Sequence, residues 1–157
     1  MVKNIEASEY EISKDDKTGL YVAPNRHQQL RASFNYNSFT LQPRSAEQAW
    51  TLTMRLSGIY ADKKLVIQPD EKDLPLTGSN KIVFNNANFT TEYINSKEGV
   101  RQNFIIQKEP VSKPQTINLK LQTNKGWYIN KVHDRELHFA KVEGDELSKK
   151  ITYHVLY

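Results

Sequence analysis

The chain has 157 residues and a mass of 18.2 kDa, which suits one domain with a sizeable buried core. Hydrophobic residues make up 38% and the mean hydropathy is −0.70, so apolar side chains must be concentrated on one face of each element. No apolar run is long enough for a membrane-spanning helix, and we expect no membrane insertion. The absence of cysteine excludes disulfide scaffolds, thiolate metal sites and cysteine nucleophiles.

The formal charge of +4 raises the question of a nucleic-acid partner. Basic residues are interspersed with acidic ones, as in Lys14–Lys17 and Asp70–Asp73, and Lys149 and Lys150 form a basic pair near the end. A surface that follows a phosphate backbone needs clustered basic residues. We therefore predict a mixed, solvated surface and no nucleic-acid partner.

The sequence repeatedly alternates apolar and polar residues with a period of two, most clearly in Trp50–Ser57. This alternation is typical of half-buried strands in antiparallel sheets. In chain order, the predicted strands are Leu30–Phe34, Phe39–Leu41, Trp50–Ser57, Lys64–Gln68, Lys81–Phe84, Phe89–Ile94, Val100–Ile106, Ile117–Gln122, Tyr128–His133, Glu136–Val142 and Ile151–Val155.

Turn-forming residues separate these runs, at Asn35–Asn37, Asn124–Gly126, Asp134–Arg135 and Gly144–Asp145. Helical periodicity is confined to one short segment, Arg44–Ala49. The sequence therefore predicts an all-β fold, an antiparallel β-sandwich of about a dozen short strands with almost no helix.

We expect residues 1–157 to form a single β-sandwich domain. Because the last alternating run continues to the final residue without a closing turn, we expect this domain to be part of a longer multidomain chain. The predicted core consists of the apolar residues that face inward in the alternating runs: Leu30, Phe34, Leu41, Trp50, Leu52, Met54, Leu56, Ile82, Phe84, Phe104, Ile117, Leu119, Leu121, Phe139 and Tyr153.

Two histidines, His133 and His138, flank the predicted turn Asp134–Arg135. In a two-residue hairpin His133 faces Glu136 and His138 faces Lys131, so the two rings are not partners. A zinc site needs ligands that converge on one point. We predict no metal site and no cofactor.

Glycosidases need two carboxyl groups about 5–10 Å apart. Glu92, Glu98, Asp134 and Glu136 are the acids that could form such a pair, but acids at strand ends are usually solvated charges. The motifs of serine nucleophiles and of phosphate-binding loops are absent from the sequence. We predict no catalytic residue.

Aromatic residues next to turns are the strongest candidates for ligand binding. Tyr36 lies at a hairpin tip, Trp127 and Tyr128 follow a turn, and Tyr60 ends a strand. Exposed rings stack on sugars or anchor protein partners. We predict Tyr36, Trp127 and Tyr128 as ligand-binding residues, with the alternative that the rings only cap the ends of the sandwich.

Several stretches occur together in an unusual order: Lys3–Ser13, Tyr21–Arg26, Leu30–Arg31, Pro43–Arg44, Trp50–Leu56, Tyr93–Asn95 and Glu98–Phe104. Together they resemble the N-terminal β-domain of large exported Bacteroidetes-type proteins that carry FG-GAP or SBBP β-propeller repeats further along the chain. The resemblance runs from about Lys3 to Phe104 and more loosely to Tyr157. It implies a secreted or cell-surface location and a downstream domain in the same chain.

One motif within that resemblance predicts a structural role. We expect Pro24, Asn25 and Arg26 to organise a turn, with Arg26 or Arg31 bonding backbone carbonyls or an acid.

The leading hypothesis is a non-catalytic binding, adhesion or structural module of an exported or cell-surface bacterial protein, with a glycan or an extracellular protein as partner. One alternative is a carbohydrate-active enzyme domain or a carbohydrate-binding module. Another is a structural spacer that packs on a downstream domain.

Overall fold

A computed structural model describes residues 5, 7–70, 74–107, 113–114, 116–143 and 146–155. Within these ranges helix occurs only at the beginning of the chain, at Ile5, Ala7 and Ser8, and strands and turns make up most of the rest. The predicted all-β, antiparallel fold is confirmed. The predicted turn Gly144–Asp145 lies outside the described residues.

The described residues form fourteen strands in three antiparallel sheets. They are β1 Ser13–Lys14, β2 Tyr21–Asn25, β3 Leu30–Asn35, β4 Ser38–Pro43, β5 Leu52–Ala61, β6 Lys64–Ile67, β7 Leu76–Gly78, β8 Lys81–Asn85, β9 Phe89–Ser96, β10 Gly99–Ile106, β11 Ile117–Thr123, β12 Tyr128–His133, β13 Glu136–Glu143 and β14 Glu146–His154. The chain divides into two compact units, Met1–Gln122 and Thr123–Tyr157.

The first unit contains two sheets. One has the order β1-β2-β3-β4-β5-β11, with β6 also paired to β5, and the other has the order β10-β9-β8-β7. The predicted tight turn between β3 and β4 is present, since Asn35 pairs with Ser38 and the two residues between them form the turn. Most paired strands are therefore neighbours in the sequence. The exception is β11, which pairs with β5 although all strands of the second sheet lie between them in the sequence.

Aromatic contacts join the two sheets of the first unit. The ring of Tyr93 on β9 lies 5.0 Å from Phe34 on β3 and 5.7 Å from Phe39 on β4, measured between centroids. All three rings are buried. The two sheets thus face each other across a packed aromatic layer, as the layers of a sandwich do.

Most of the predicted core residues are buried or half-buried, and one prediction is wrong. Ile117 is 38% exposed, because it opens the outermost strand of its sheet order, where few neighbours cover it. The core also contains large side chains that were not predicted, including Ile59, Phe89 and Tyr93, each 0% exposed.

A buried pair of asparagines bridges the two sheets. The Asn25 amide donates to Oδ1 of Asn95 and to the carbonyl of Ser96, both at 2.8 Å. The Asn95 amide donates to the carbonyls of Pro24 at 2.7 Å and Tyr10 at 3.1 Å. Both asparagines are 0% exposed and use both amide hydrogens, so the bridge pairs polar groups that burial would otherwise leave unsatisfied.

The second unit contains one sheet with the order β12-β13-β14. Its first hairpin turns at Asp134–Arg135, as predicted, and the pairing shifts by a bulge between Lys131 and His133. The rings of Phe139 and Tyr153 meet edge to face at 6.0 Å between centroids.

Candidate functional site

A groove of about 390 Å³ lies on the first unit, beside the β5–β6 hairpin and β11. Its lining residues are Tyr60, Lys63, Asn118, Leu119 and Lys120, and we call it the Tyr60 groove. It therefore brings a phenol ring, an amide and two ammonium groups to one surface.

Tyr60 is half-buried near the end of β5, directly after the fully buried Ile59. The pairing of β5 with β6 shifts between these two residues, so the strand is irregular where it presents the ring. Gly58 leaves space beside the ring, since a Cβ on it would lie 3.2 Å from Cε2 of Tyr60 and 2.5 Å from Cδ1 of Leu65. The ring thus lies over backbone that carries no side chain.

The turn that carries Lys63 is held by hydrogen bonds. Asp62 and Lys63 have φ values of 46° and 73°, the positive pair that a two-residue hairpin turn of type I′ requires. Oδ1 of Asp62 accepts the backbone N–H of Thr116 at 3.0 Å, and the Asp62 N–H donates to the Thr116 carbonyl at 3.1 Å. This clamp fixes the turn, and with it the backbone of Lys63, to the segment that enters β11.

Strand β11 forms the other side of the groove. Leu119 packs against the buried cluster that includes Leu56, while its neighbours Asn118 and Lys120 are exposed. The Ser57 hydroxyl donates to the Lys120 carbonyl at 3.0 Å and ties β11 to β5. Asn118 and Lys120 therefore project from a strand that its own core contact holds in place.

The charge of the groove is positive. Lys63 and Lys120 are both exposed, and neither forms an ion pair with a residue that the structure describes. None of the five lining residues is an acid or a histidine. The groove can stack a ring, donate hydrogen bonds and attract an anion, which are functions of a binding site.

The three aromatic residues predicted to bind a ligand do not lie in one unit. Tyr36 is half-buried in the β3–β4 turn of the first unit. Trp127 is half-buried and Tyr128 is 66% exposed at the start of β12, in the second unit. Tyr60, the ring at a strand end, lines the groove instead.

The predicted structural motif lies at the end of β2. Pro24 and Asn25 belong to the strand, and the turn follows over residues 26–29, with Oδ1 of Asn25 accepting the N–H of Gln28 at 3.0 Å. Nη1 of Arg26 donates to Oε1 of Glu9 at 3.0 Å. Arg31 is exposed on β3, opposite Pro24 in the pairing of β2 with β3.

One of the two predicted histidine pairings in the second unit is wrong. His133 pairs with Glu136 as expected, but His138 pairs with Asn130 and not with Lys131. The cause is the bulge in β12, which adds one residue on that strand and shifts all later pairs. A two-residue turn with regular pairing, as the sequence suggested, does not include such a shift.

Three histidines surround the carboxylate of Glu136. Nε2 of His138 lies 2.7 Å from Oε1 of Glu136, and His133 and His154 place ring nitrogens 3.5 Å and 3.9 Å from its Oε2. The hydrogen bond to His138, followed by the charges of the three rings, lowers the pKa of Glu136. Among the described residues, no group of three histidine, aspartate or glutamate side chains is arranged to hold a metal ion.

Two acids of the first unit that were considered for catalysis are paired. Glu92 forms an ion pair with Lys81 and accepts the Asn103 amide at 2.9 Å, and the hydrogen bond to Lys81 is the main cause of its lowered pKa. The Ser96 hydroxyl donates to Glu98 at 2.9 Å and lowers the pKa of that carboxyl. Each partner therefore favours the ionised carboxylate.

Sequence reasoning missed Lys63, Asn118 and Lys120 as site residues. The turn that carries Lys63 lies between two predicted strands, so its position could be predicted from the sequence. The contact between this turn and β11 could not be predicted, because 54 positions separate Asp62 from Thr116 and no local pattern indicates their pairing.

Comparison with protein-family models, with curated proteins and with solved structures finds no match to this chain. Within the described ranges, no helix has the length and apolar character that crossing a bilayer requires.

Proposed function

We propose that this protein is a non-catalytic binding module of an exported or cell-surface protein, and that it binds a saccharide chain at the Tyr60 groove. The proposal depends on one observation: an aromatic ring beside Gly58 shares a groove with an amide and two lysines that have no described ion-pair partner. The exported or cell-surface location follows from the resemblance to exported β-domains alone.

Saccharides suit the chemistry of these residues. The C–H face of a pyranose stacks on a tyrosine ring, and its hydroxyls accept hydrogen bonds from an amide or an ammonium group. Only a few such contacts fit in the groove, so we expect micromolar-to-millimolar affinity, or about 4–8 kcal/mol of binding free energy. Strand β11 is held by the packing of Leu119 and Leu121 on the core, so this side of the groove requires little reorganisation on binding.

The lowered pKa values of the four acids considered for catalysis favour saccharide binding over saccharide hydrolysis. A glycosidase needs one carboxyl group with a raised pKa to donate a proton. Lys131, 2.6 Å from Asp134, lowers the pKa of that carboxyl through a hydrogen bond. Glu92, Glu98 and Glu136 also have lowered pKa values, so every acid considered for catalysis is held as a carboxylate.

The test is a binding screen of the full chain against soluble oligosaccharides, followed by calorimetry on those that bind. Tyr60→Leu keeps an apolar side chain beside Gly58 and removes the aromatic face, so we expect binding to fall about tenfold, as the loss of a stacking contact implies. Tyr128→Leu is the matched control on the second unit and should leave binding unchanged.

Two results would overturn this assignment. Binding that is lost in Tyr128→Leu and kept in Tyr60→Leu would move the site to the second unit. Hydrolysis of an oligosaccharide that is abolished by Glu92→Gln or Glu136→Gln would support the enzyme alternative instead.

A further inference from the structure

We infer that the saccharide recognised by the Tyr60 groove carries carboxylate groups, as uronic acids do. This inference rests on the proposed function and adds the chemical class of the ligand. It is based on Lys63 and Lys120, whose charges reach one groove from two separate elements.

The backbone of each lysine in the groove is held by hydrogen bonds. Lys63 occupies a left-handed conformation with φ of 73°, which is unfavourable for a residue with a Cβ and persists only where the surroundings enforce it. The bonds between Asp62 and Thr116 supply that constraint. Lys120 has its own anchor, since its carbonyl accepts the Ser57 hydroxyl.

Among the residues that the structure describes, the nearest acid in the sequence does not pair with Lys63. Asp62 is the acid next to Lys63 in the sequence, and its Oδ1 accepts bonds from the Thr116 N–H and hydroxyl, at 3.0 and 3.4 Å. Neither Lys63 nor Lys120 has an ion-pair partner among the residues the structure describes. An anionic ligand would therefore gain two pairings without displacing an existing one.

The arrangement favours carboxylates on a sugar over phosphate groups on a nucleic acid. Nucleic-acid surfaces use runs of basic residues that follow the backbone, and phosphate sites commonly use arginine forks or backbone N–H groups. This groove offers two separate point charges beside one ring and one amide. Two neighbouring uronate residues of one chain match these groups, because each carries hydroxyls and one carboxylate and one of them can stack on the ring.

The experiment compares an oligogalacturonate with the same oligosaccharide after methyl esterification, which removes the charge and keeps the sugar. Calorimetry is performed on the full chain and on Lys63→Gln, Lys120→Gln and the double variant. Lys17→Gln, an exposed lysine outside the groove, is the matched control.

We expect the unmodified oligosaccharide to bind more tightly than its ester. Exposed ion pairs are modest, so each glutamine variant should weaken binding of the acidic ligand about two- to fivefold, and the double variant about tenfold. Binding of the ester should not change in these variants, and Lys17→Gln should behave as the wild type. Added salt should reduce the preference for the acidic ligand.

The results distinguish a saccharide site that does not require carboxylates from a groove that does not bind saccharides. Equal binding of the two oligosaccharides, lost in Tyr60→Leu and kept in the double lysine variant, would retain the saccharide site and reject the carboxylate. Tighter binding of a single-stranded oligonucleotide than of the oligogalacturonate, sensitive to the same lysines, would reject the saccharide ligand class. Binding of neither oligosaccharide would reject the carboxylate class.

Discussion

The asparagine bridge makes the strongest stability prediction. Asn95→Ala removes a side chain that is 0% exposed and that links β9 to β2 across the sandwich. The substitution deletes two donated hydrogen bonds, to Tyr10 and Pro24, and one accepted from Asn25. The Asn95 N–H donates to the Asn80 carbonyl and the Asn80 amide donates to the Asn95 carbonyl; neither bond involves the Asn95 side chain, and both should remain.

The magnitude follows from counting the polar groups left behind. A buried donor or acceptor without a partner costs about 1–3 kcal/mol. Three bonds are lost, and water that enters the space recovers part of the cost, so we expect Asn95→Ala to lower the free energy of unfolding by about 3–5 kcal/mol. That is a large share of the about 5–15 kcal/mol typical of a folded domain. Asn95→Asp should be at least as damaging, since a carboxylate would face two carbonyl oxygens.

Urea unfolding followed by tryptophan fluorescence measures this loss. Trp50 is buried in the first unit, and a Trp127→Phe background removes the reporter of the second unit. Asn88→Ala, at an exposed asparagine of the same unit, is the control and should change stability by less than about 0.5 kcal/mol. A loss below about 1 kcal/mol in Asn95→Ala would show that the bridge does not hold the sheets together.

The strands and the short hairpins could be predicted because both are local. Alternation placed a strand at Trp50–Ser57, and the structure has β5 at Leu52–Ala61. It did not reveal β2, Tyr21–Asn25, where a proline interrupts the pattern. Pro24 is tolerated there because β1 pairs only with Tyr21 and Val22, which leaves the Pro24 position unpaired on that side.

Part of the core could not be predicted from alternation. In β9, Phe89, Thr90 and Thr91 are buried in succession, so both faces of the strand are covered at this end. A period of two detects only strands that expose one face. Tyr93 lies in the aromatic layer, in contact with Phe34, Phe39 and Phe84, and was not among the predicted core residues.

The candidate site was predicted only where it is local. Tyr60 could be recognised as a ring at the end of a strand, but its companions on β11 depend on a long-range strand pairing. The cross-strand partner of His138 was predicted incorrectly for a different reason. One bulged residue in β12 moves that partner from Lys131 to Asn130, and a bulge has no reliable sequence pattern.

Three further predictions concern the core, the groove and the acid response. Leu52→Ala, at a residue 1% exposed, should cost about 2–5 kcal/mol in urea unfolding, and a near-neutral result would contradict the packing of β5. Gly58→Ala should weaken saccharide binding in calorimetry, because the new Cβ pushes the Tyr60 ring aside; unchanged affinity would place the ligand away from that ring. Glu136 has a folded-state pKa below its value in the unfolded chain, mainly through its bond to His138, so the folded state binds this proton less readily. Its stabilising contribution is therefore present above about pH 4.3, the ordinary value for glutamate, and is lost as the pH falls through the lowered pKa. The difference in unfolding free energy between wild type and Glu136→Gln should shrink as the pH is lowered from neutral into that range, whereas a constant difference would show that the histidines do not stabilise the carboxylate.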